Sequence, residues 1–142
     1  MNSRQEYRLL GRSRRGPFTS ASRLSGRAAR RLRESFAGET GIIVDIRQPA
    51  LMMNGVALDS VWWPVRWICV GVVKVPVGMY TVRPVAVRCP VGWHSVQFCD
   101  GGLRLVKSVV VEVRERELII LTIRPPTISL FRGHQSGSFS LD

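Results

Sequence analysis

The chain changes character at residue 40, and this change most constrains what it can fold into. Residues 1–40 contain ten arginines, no lysine and three glutamates, which gives a net charge of +7. Residues 41–124 are instead rich in valine and isoleucine, arranged in short runs between turns that contain glycine or proline. The first segment predicts a basic, largely disordered arm, and the second predicts a compact domain of β-strands.

Turn signals divide residues 41–124 into short strands. Asn54-Gly55 is the strongest two-residue hairpin signal in the chain, and Asp100-Gly101-Gly102 marks another turn. Pro76-Val77-Gly78 and Pro90-Val91-Gly92 each predict a tight turn that starts a strand, because proline fixes φ and glycine supplies a positive φ. Strands at this spacing predict an all-β fold, a small antiparallel β-sandwich of about seven strands.

The pattern of apolar residues predicts which strand faces are buried. Trp93, Ser95 and Gln97 alternate with His94, Val96 and Phe98, so one face of this strand is expected to lie in the core, and Val96 and Phe98 have the character of core residues. Residues 118–123 are apolar on both faces, which predicts a central strand. A single strand is predicted near Ile68–Val75.

Residues 20–36 differ from the rest of the arm because apolar residues recur at every fourth position. Leu24, Ala28, Leu32 and Phe36 form one stripe, which predicts a short basic amphipathic helix. Such a short helix is unstable alone in water, so it is expected to form on a partner or against the β-domain. Residues 1–19 are expected to be disordered, and residues 125–142, rich in serine and glycine, to form a flexible tail.

The β-region resembles PEGA-type and related Ig-like mini-sandwich domains. The resemblance rests on the strand–Asn-Gly–strand opening, on the units Pro76–Val82 and Pro90–Val96, and on the final pair of strands. It covers residues 41–124, with Val77 or Val91 inserted between the proline and the glycine of each unit. The resemblance implies a non-catalytic surface or adhesion module, often found in cell-envelope proteins.

The cysteines and the histidine between two of them are the main candidates for chemistry. Cys69, Cys89 and Cys99 are an odd number, which argues against a disulfide framework and predicts reduced, buried thiols in the cytoplasm. Cys89, His94 and Cys99 have the spacing of three zinc-knuckle ligands, but Ala86 occupies the position of the fourth. Strand alternation also sends His94 to the face opposite either cysteine. We therefore expect no metal site, no cofactor and no enzymatic activity.

A tryptophan cluster predicts a contact surface on the β-domain. Trp62, Trp63 and Trp67 lie close together in the sequence, with Arg66 among them. Two consecutive tryptophans in a strand cannot both face the core, so one is expected to be exposed. Three interpretations stay open at this point: core packing with a cover over a strand edge, contact with a protein partner, and base stacking on single-stranded nucleic acid.

The arginines of the arm are the strongest functional signal. Arginine makes bidentate contacts with phosphate, and a flexible polycation gains affinity by releasing counterions. The residues expected to contact phosphate are Arg12, Arg14, Arg15, Arg23, Arg27, Arg30, Arg31 and Arg33. The sequence thus predicts a non-enzymatic binding or scaffold module whose arm contacts RNA or DNA without sequence specificity and whose β-domain contacts a protein.

The arm also allows other interpretations. An amphipathic basic helix suits an anionic membrane surface, and an Arg- and Ser-rich, acid-poor segment suits a transit peptide. A solvated tail, or an upstream extension never used as protein, is the remaining interpretation. For the whole chain, the alternatives are an envelope- or membrane-surface-associated sandwich and a small capsid-like structural protein.

Overall fold

The computed structural model of the chain describes residues 7–12, 25–46, 52–53, 56–57, 65–76, 84–124, 127–132 and 136–140. Within these residues, two β-sheets pack face to face and a helix, α1 (Ser25–Ser35), lies on the outside of one of them. The strands are β1 (Arg8–Arg12), β2 (Gly41–Ile46), β3 (Met52–Met53), β4 (Val56–Ala57), β5 (Trp67–Val70), β6 (Val73–Pro76), β7 (Val85–Arg88), β8 (Gly92–Cys99), β9 (Leu105–Val113), β10 (Leu118–Arg124), β11 (Thr127–Phe131) and β12 (Ser136–Ser140). The predicted all-β sandwich is confirmed.

The larger sheet has six strands in the order β1-β7-β2-β10-β11-β12. Neighbouring strands are antiparallel except β2 and β10, which run parallel from the pair Gly41–Leu118 to the pair Ile46–Ile123. Both strands are buried on both faces, which is typical of parallel strands in the middle of a sheet. The predicted central position of residues 118–123 is therefore confirmed, whereas the parallel pairing adds a feature that local patterns do not reveal.

The smaller sheet has four antiparallel strands in the order β6-β5-β8-β9. β5 and β6 form a hairpin in which Val70 pairs with Val73 across a two-residue turn. Gly71 has a φ of 57° at the first turn position, a conformation that glycine adopts without steric cost. The prediction of one continuous strand over Ile68–Val75 is therefore wrong, because this glycine reverses the chain inside an apolar run.

One predicted turn is confirmed, and the strands on either side of another pair as expected. Met52 pairs with Ala57 and Met53 with Val56, so β3 and β4 are antiparallel neighbours, whereas Asn54-Gly55 between them lies outside the described part of the chain. At the other turn, Asp100 Oδ1 accepts hydrogen bonds from the backbone N–H groups of Gly102 and Arg104, each at 2.9 Å. A carboxylate that accepts from its own downstream backbone stabilises such a turn.

The main core lies between the two sheets. Along β8 the burial alternates as predicted, with His94, Val96 and Phe98 buried and the intervening residues 93, 95 and 97 outside. The fully buried large side chains of this core are Ile42, Val44, Val65, Val70, Val85, Val87, Phe98, Ile119, Leu121, Ile123 and Ile128. Each contributes about 1.5–3 kcal/mol of apolar burial to folding.

A second, smaller core joins α1 to the outer face of the six-stranded sheet. Ala29 and Leu32 are buried against Ile43, Ala86 and Ile120, with Leu10, Phe36 and Phe131 packed at the margin. The apolar stripe runs through positions 29, 32 and 36, three and then four residues apart, as a helix of 3.6 residues per turn requires. The predicted helix thus forms against the β-domain, with position 29 in place of 28 at its centre.

The N-terminal segment belongs to the sandwich wherever the structure describes it. β1 forms one edge of the six-stranded sheet, with Arg8 opposite Arg88 and Arg12 opposite Val85. This corrects the prediction of disorder for residues 8–12. The reason is that β1 is stabilised by pairing with β7, a long-range contact, and its own sequence lacks the alternation of a half-buried strand.

The C-terminal segment is also corrected. β11 pairs with β10 from Ile120–Phe131 to Arg124–Thr127, and β12 pairs with β11 along its whole length. Ile128 is fully buried in the main core, which explains why this segment is ordered although serine and glycine surround it. Residues 127–131 and 136–140 are therefore sheet strands and not a flexible tail.

Candidate functional site

The basic face of α1 presents part of the predicted arginine set to solvent. Ala29 and Leu32 face the sheet, so Arg30 and Arg31 point away from it and are exposed. Their position is fixed by the second core, because the helix beneath them is packed on β2 and β7. Two adjacent cationic side chains are thus held on a rigid element at the surface.

Arg33, on the same helix, is engaged within the protein. Its Nη2 donates to the backbone carbonyl of Arg132 at 3.3 Å, and its guanidinium lies 5.4 Å from the centre of the Phe131 ring. Both contacts join α1 to β11 and the residue after it. Arg33 therefore fastens the helix to the sheet, so its guanidinium is less available to an external phosphate than those of Arg30 and Arg31.

The remaining predicted arginines divide into two groups. Arg12 is exposed on β1, and its Nη2 donates to the carbonyl of Pro76 at 2.9 Å, a contact between edge strands of the two sheets. Arg27 belongs to α1, although its side chain is not described. Arg14, Arg15 and Arg23 lie outside the described residues.

Two arginines that sequence reasoning missed lie on the same side of the six-stranded sheet as the helix. Arg88 follows Ala86 by two residues on β7, and Ala86 packs against α1, so strand alternation places Arg88 on the helix side. Arg8 is directly opposite Arg88 and shares its face. Glu39 lies 3.7 Å from Arg88 and balances one of these charges. Only the pairing of β1 with β7, and no local motif, brings the two arginines together.

Near Arg88, a cleft of about 380 Å³ is lined by residues 38–40, 88–91 and 115–116. Its charged side chains are two arginines, Arg88 and Arg116, and two glutamates, Glu39 and Glu115. Equal numbers of opposite charges give this cleft no net preference for an anion.

The tryptophan surface is only partly described. Trp62 and Trp63 lie outside the described residues, whereas Arg66 and Trp67 are half-buried. The Arg66 backbone N–H donates to the Cys99 carbonyl at 2.8 Å, and its Nη1 donates to the Val65 carbonyl at 2.9 Å. The backbone bond holds the start of β5 beside the end of β8.

Sequence reasoning weighed Trp93 for core packing or base stacking but did not include it in the partner surface, yet Trp93 is a prominently exposed aromatic side chain of the four-stranded sheet. Trp93 is 68% exposed on the outer face of the four-stranded sheet, the face turned away from the core. Val110, 60% exposed, lies on the neighbouring strand β9, where it pairs with Ser95, two pairs along from Trp93 and on the same face. Trp67 is on the same outer face, because its neighbour Ile68 points into the core. Strand alternation after Gly92 was the signal that could have identified Trp93.

His94 is a structural residue in this fold. Its Nε2 lies 2.5 Å from the Pro90 carbonyl, which can only accept, so Nε2 carries a proton. In the neutral ring Nδ1 then accepts from the Tyr7 hydroxyl at 3.0 Å, and the two rings meet edge to face. With both nitrogens occupied, His94 has no free position for a metal or for proton transfer.

The three thiols are buried and unpaired by disulfides, as predicted. Cys89 lies in the main core, and burial raises the pKa of its thiol from 9.0 to about 12. Cys69 and Cys99 lie on the outer face of the four-stranded sheet, each 6% exposed. Within the described residues, no three histidine, cysteine or acidic side chains come close enough together to hold a metal ion.

Comparison with protein families, curated proteins and solved structures found no match to this chain. The resemblance to PEGA-type and Ig-like domains therefore stays a prediction. In the described part of the chain, no helix has the length and apolar character needed to cross a membrane.

Proposed function

We propose that this protein is a non-enzymatic binding module that contacts nucleic acid through the basic face of α1 and a protein partner through the outer face of its four-stranded sheet. The observation that carries the proposal is the exposure of Arg30 and Arg31 on a helix whose other face is packed on the sandwich. The chain as a whole has a net charge of +11, which favours a polyanionic ligand.

A helix that is already packed on the sandwich binds a ligand at a lower cost in backbone entropy than a disordered arm. Ordering a backbone residue costs roughly 1–2 kcal/mol, and α1 is already ordered against Leu10, Ile43 and Ile120 before any ligand arrives. Arg30 and Arg31 therefore lose only side-chain freedom on binding. Contacts of this kind are made with the phosphate backbone and carry no sequence preference.

The packing of the helix also bears on the membrane alternative. An interfacial helix inserts its apolar stripe into the lipid headgroup region. Here the apolar stripe packs on the six-stranded sheet, where only 1% of Ala29 and 8% of Leu32 is exposed to solvent. The membrane interpretation would require α1 to leave this site, so nucleic acid is the better ligand for the basic face.

The proposed partner surface lies on the opposite side of the molecule. α1 covers the outside of the six-stranded sheet, whereas Trp67, Trp93 and Val110 lie on the outside of the four-stranded sheet. A large exposed aromatic residue beside an apolar one is typical of protein contact sites. Two ligands on opposite sides of one sandwich would not compete, which suits a scaffold.

The experiment is a salt-dependent titration of a fluorescent oligonucleotide, single-stranded and duplex, with the full chain. Arg30→Gln/Arg31→Gln is compared with Arg104→Gln/Arg114→Gln, which removes the same charge from exposed positions next to the four-stranded sheet. The slope of log K against log salt is expected to fall by about 2 for the helix variant on duplex DNA and to change little for the control.

Two results would contradict this proposal. Equal losses in both double variants would mean that net charge alone, and no particular surface, attracts the oligonucleotide. Absence of binding by the unaltered protein at low salt would remove nucleic acid as a ligand. Point variants are preferred to deletion of residues 1–40, because that deletion removes β1 and α1 and exposes the second core.

A further inference from the structure

Two of the three cysteines are neighbours on one sheet face. In the pairing of β5 with β8, Trp67 is opposite Cys99 and Cys69 is opposite Gln97. Positions two apart on a strand share a face, so Cys69 and Cys99 are diagonal neighbours on adjacent strands. Their flanking residues Ile68 and Phe98 point into the main core, which places both thiols on the outer face.

The two thiols are close enough to influence each other in the reduced protein. Besides burial, the neighbouring Cys99 raises the pKa of the Cys69 thiol through its charge and through hydrogen bonding. Neither residue is part of a disulfide. Diagonal neighbours in an antiparallel pair have Cα atoms about 7–8 Å apart, beyond the usual range for a disulfide, so the bond requires the two strands to move closer together at this point. Cys99 is also the last residue of β8, where the register with β9 shifts, and a strand end adjusts more easily than a strand centre.

From this placement we propose that Cys69 and Cys99 form a reversible intramolecular disulfide when the protein meets a peroxide-class oxidant. This proposal does not depend on the proposed function. It adds a redox-sensitive crosslink between β5 and β8 to a protein whose resting thiols are reduced.

The chemistry balances with the peroxide as the oxidant. One thiolate attacks a peroxide oxygen, so that an S–O bond forms, the O–O bond breaks, and the sulfur is oxidised to a sulfenic acid while water leaves. The second thiolate attacks that sulfur, so that the S–S bond forms and the S–O bond breaks. The hydroxide that leaves takes up the proton of the second thiol and becomes water. A dithiol reductant then converts the disulfide back to two thiols.

The surroundings of Cys69 set the rate of this reaction. Burial raises the pKa of the Cys69 thiol, the neighbouring Cys99 raises it further, and Lys74 opposes both effects. Lys74 is exposed and directly opposite Cys69 in the β5–β6 hairpin. A small uncharged oxidant is therefore expected to react slowly at neutral pH and faster as the pH rises. Lys74→Met is expected to slow the reaction.

The test uses the full chain with Cys89→Ala, which removes the core thiol and leaves the pair alone. After hydrogen peroxide and then alkylation, mass spectrometry is expected to find no alkylated thiol, a loss of two hydrogens, and one linked peptide pair that contains Cys69 and Cys99. The melting temperature of the oxidised protein is expected to rise by ~5–10 °C and to return on reduction. Cys89→Ala/Cys99→Ser is the control and is expected to gain oxygen without any crosslink.

Other outcomes would overturn the proposal. Two freely alkylated thiols after a prolonged exposure at raised pH, where the reaction is expected to be faster, would show that the pair does not react. Sulfinic acid at either residue, or a link that forms only between two chains, would show that the partner sulfur is out of reach. If Cys89→Ala does not fold, peptide mapping of the unaltered protein decides the matter, since a link from Cys89 to either other thiol also contradicts the proposal.

Discussion

The hydroxyl of Tyr7 lies 3.0 Å from Nδ1 of His94, a bond that joins residues 87 positions apart in the chain. Tyr7 precedes β1 of the six-stranded sheet, and His94 belongs to β8 of the four-stranded sheet. The ring of Tyr7 also lies against Gly71, where an added Cβ would meet it. One side chain near the N-terminus therefore connects both sheets and the β5–β6 turn.

Tyr7→Phe tests the contribution of this bond. The ring can keep its packing, but the hydroxyl is lost and Nδ1 of the buried His94 has no donor. An unsatisfied buried polar atom costs about 1–3 kcal/mol, so the free energy of unfolding measured in urea is expected to fall by that amount. Leu9→Ala, at an exposed position of the same segment, is the control and should change stability much less. Equal effects of the two changes would contradict the role given to the bond.

Arg132 and Glu117 form a largely buried ion pair, and Arg132 also joins the end of β11 to the end of β9. Arg132 Nη1 lies 2.5 Å from Glu117 Oε1, its Nη2 donates to the Glu112 carbonyl at 2.6 Å, and the two side chains are 10% and 14% exposed. Removal of one member leaves a buried charge without its partner. Arg132→Ala is therefore expected to destabilise the protein by about 3–5 kcal/mol.

The exposed pair Arg114–Glu112, 3.2 Å apart, provides the comparison for this prediction. Its side chains are in solvent, so Arg114→Ala should cost less than about 1 kcal/mol. Both variants are measured by urea unfolding at the same ionic strength. A cost for Arg132→Ala no larger than that for Arg114→Ala would show that water reaches the inner pair.

Local patterns predicted the parts of the fold that depend on neighbouring residues. Alternation identified the buried face of β8, apolar residues on both faces identified β10 as central, and Asn54-Gly55 identified the pairing of β3 with β4. Each of these signals is contained in fewer than about ten residues, because strand alternation and turn conformation are local properties. The helix within residues 20–36 was predictable for the same reason.

The features that sequence reasoning missed depend on contacts between distant residues. β1 forms a strand because it pairs with β7. β11 is ordered because Ile128 is buried in the main core. In the candidate site, the exposed role of Arg30 and the internal role of Arg33 differ only because Phe131 and the Arg132 carbonyl lie beside the latter. No spacing rule within the helix distinguishes these two arginines.

Gly41 is required by a close approach of two strands. A Cβ at this position would meet the carbonyl oxygen of Val87 on the adjacent strand β7, which is backbone and cannot rotate away. Gly41→Ala is therefore expected to destabilise the protein by about 1–3 kcal/mol in chemical denaturation. Gly137→Ala is the matched control, because nothing lies within 4 Å of a Cβ there and its backbone needs no positive φ. Similar stabilities of the two variants would show that β2 and β7 can move apart at no cost.

Because the Cys89 thiol is buried, the folded protein is expected to lose stability at high pH. Its pKa is raised to about 12 in the folded protein by burial, so the folded state keeps the proton at pH values where the unfolded chain, with a pKa near 9.0, has released it. The stabilisation is complete below pH 9.0 and is lost as the pH rises towards 12, by about 1.4 kcal/mol per pH unit. The free energies of unfolding of the unaltered protein and of Cys89→Ala are measured in urea at pH 8 and at pH 10.5. The advantage of the unaltered protein over the variant is expected to be ~2 kcal/mol smaller at pH 10.5 than at pH 8. The cavity left by alanine is the same at both pH values and cancels in this comparison. A difference that does not change with pH would mean that the thiol ionises as easily in the folded protein as in the unfolded chain.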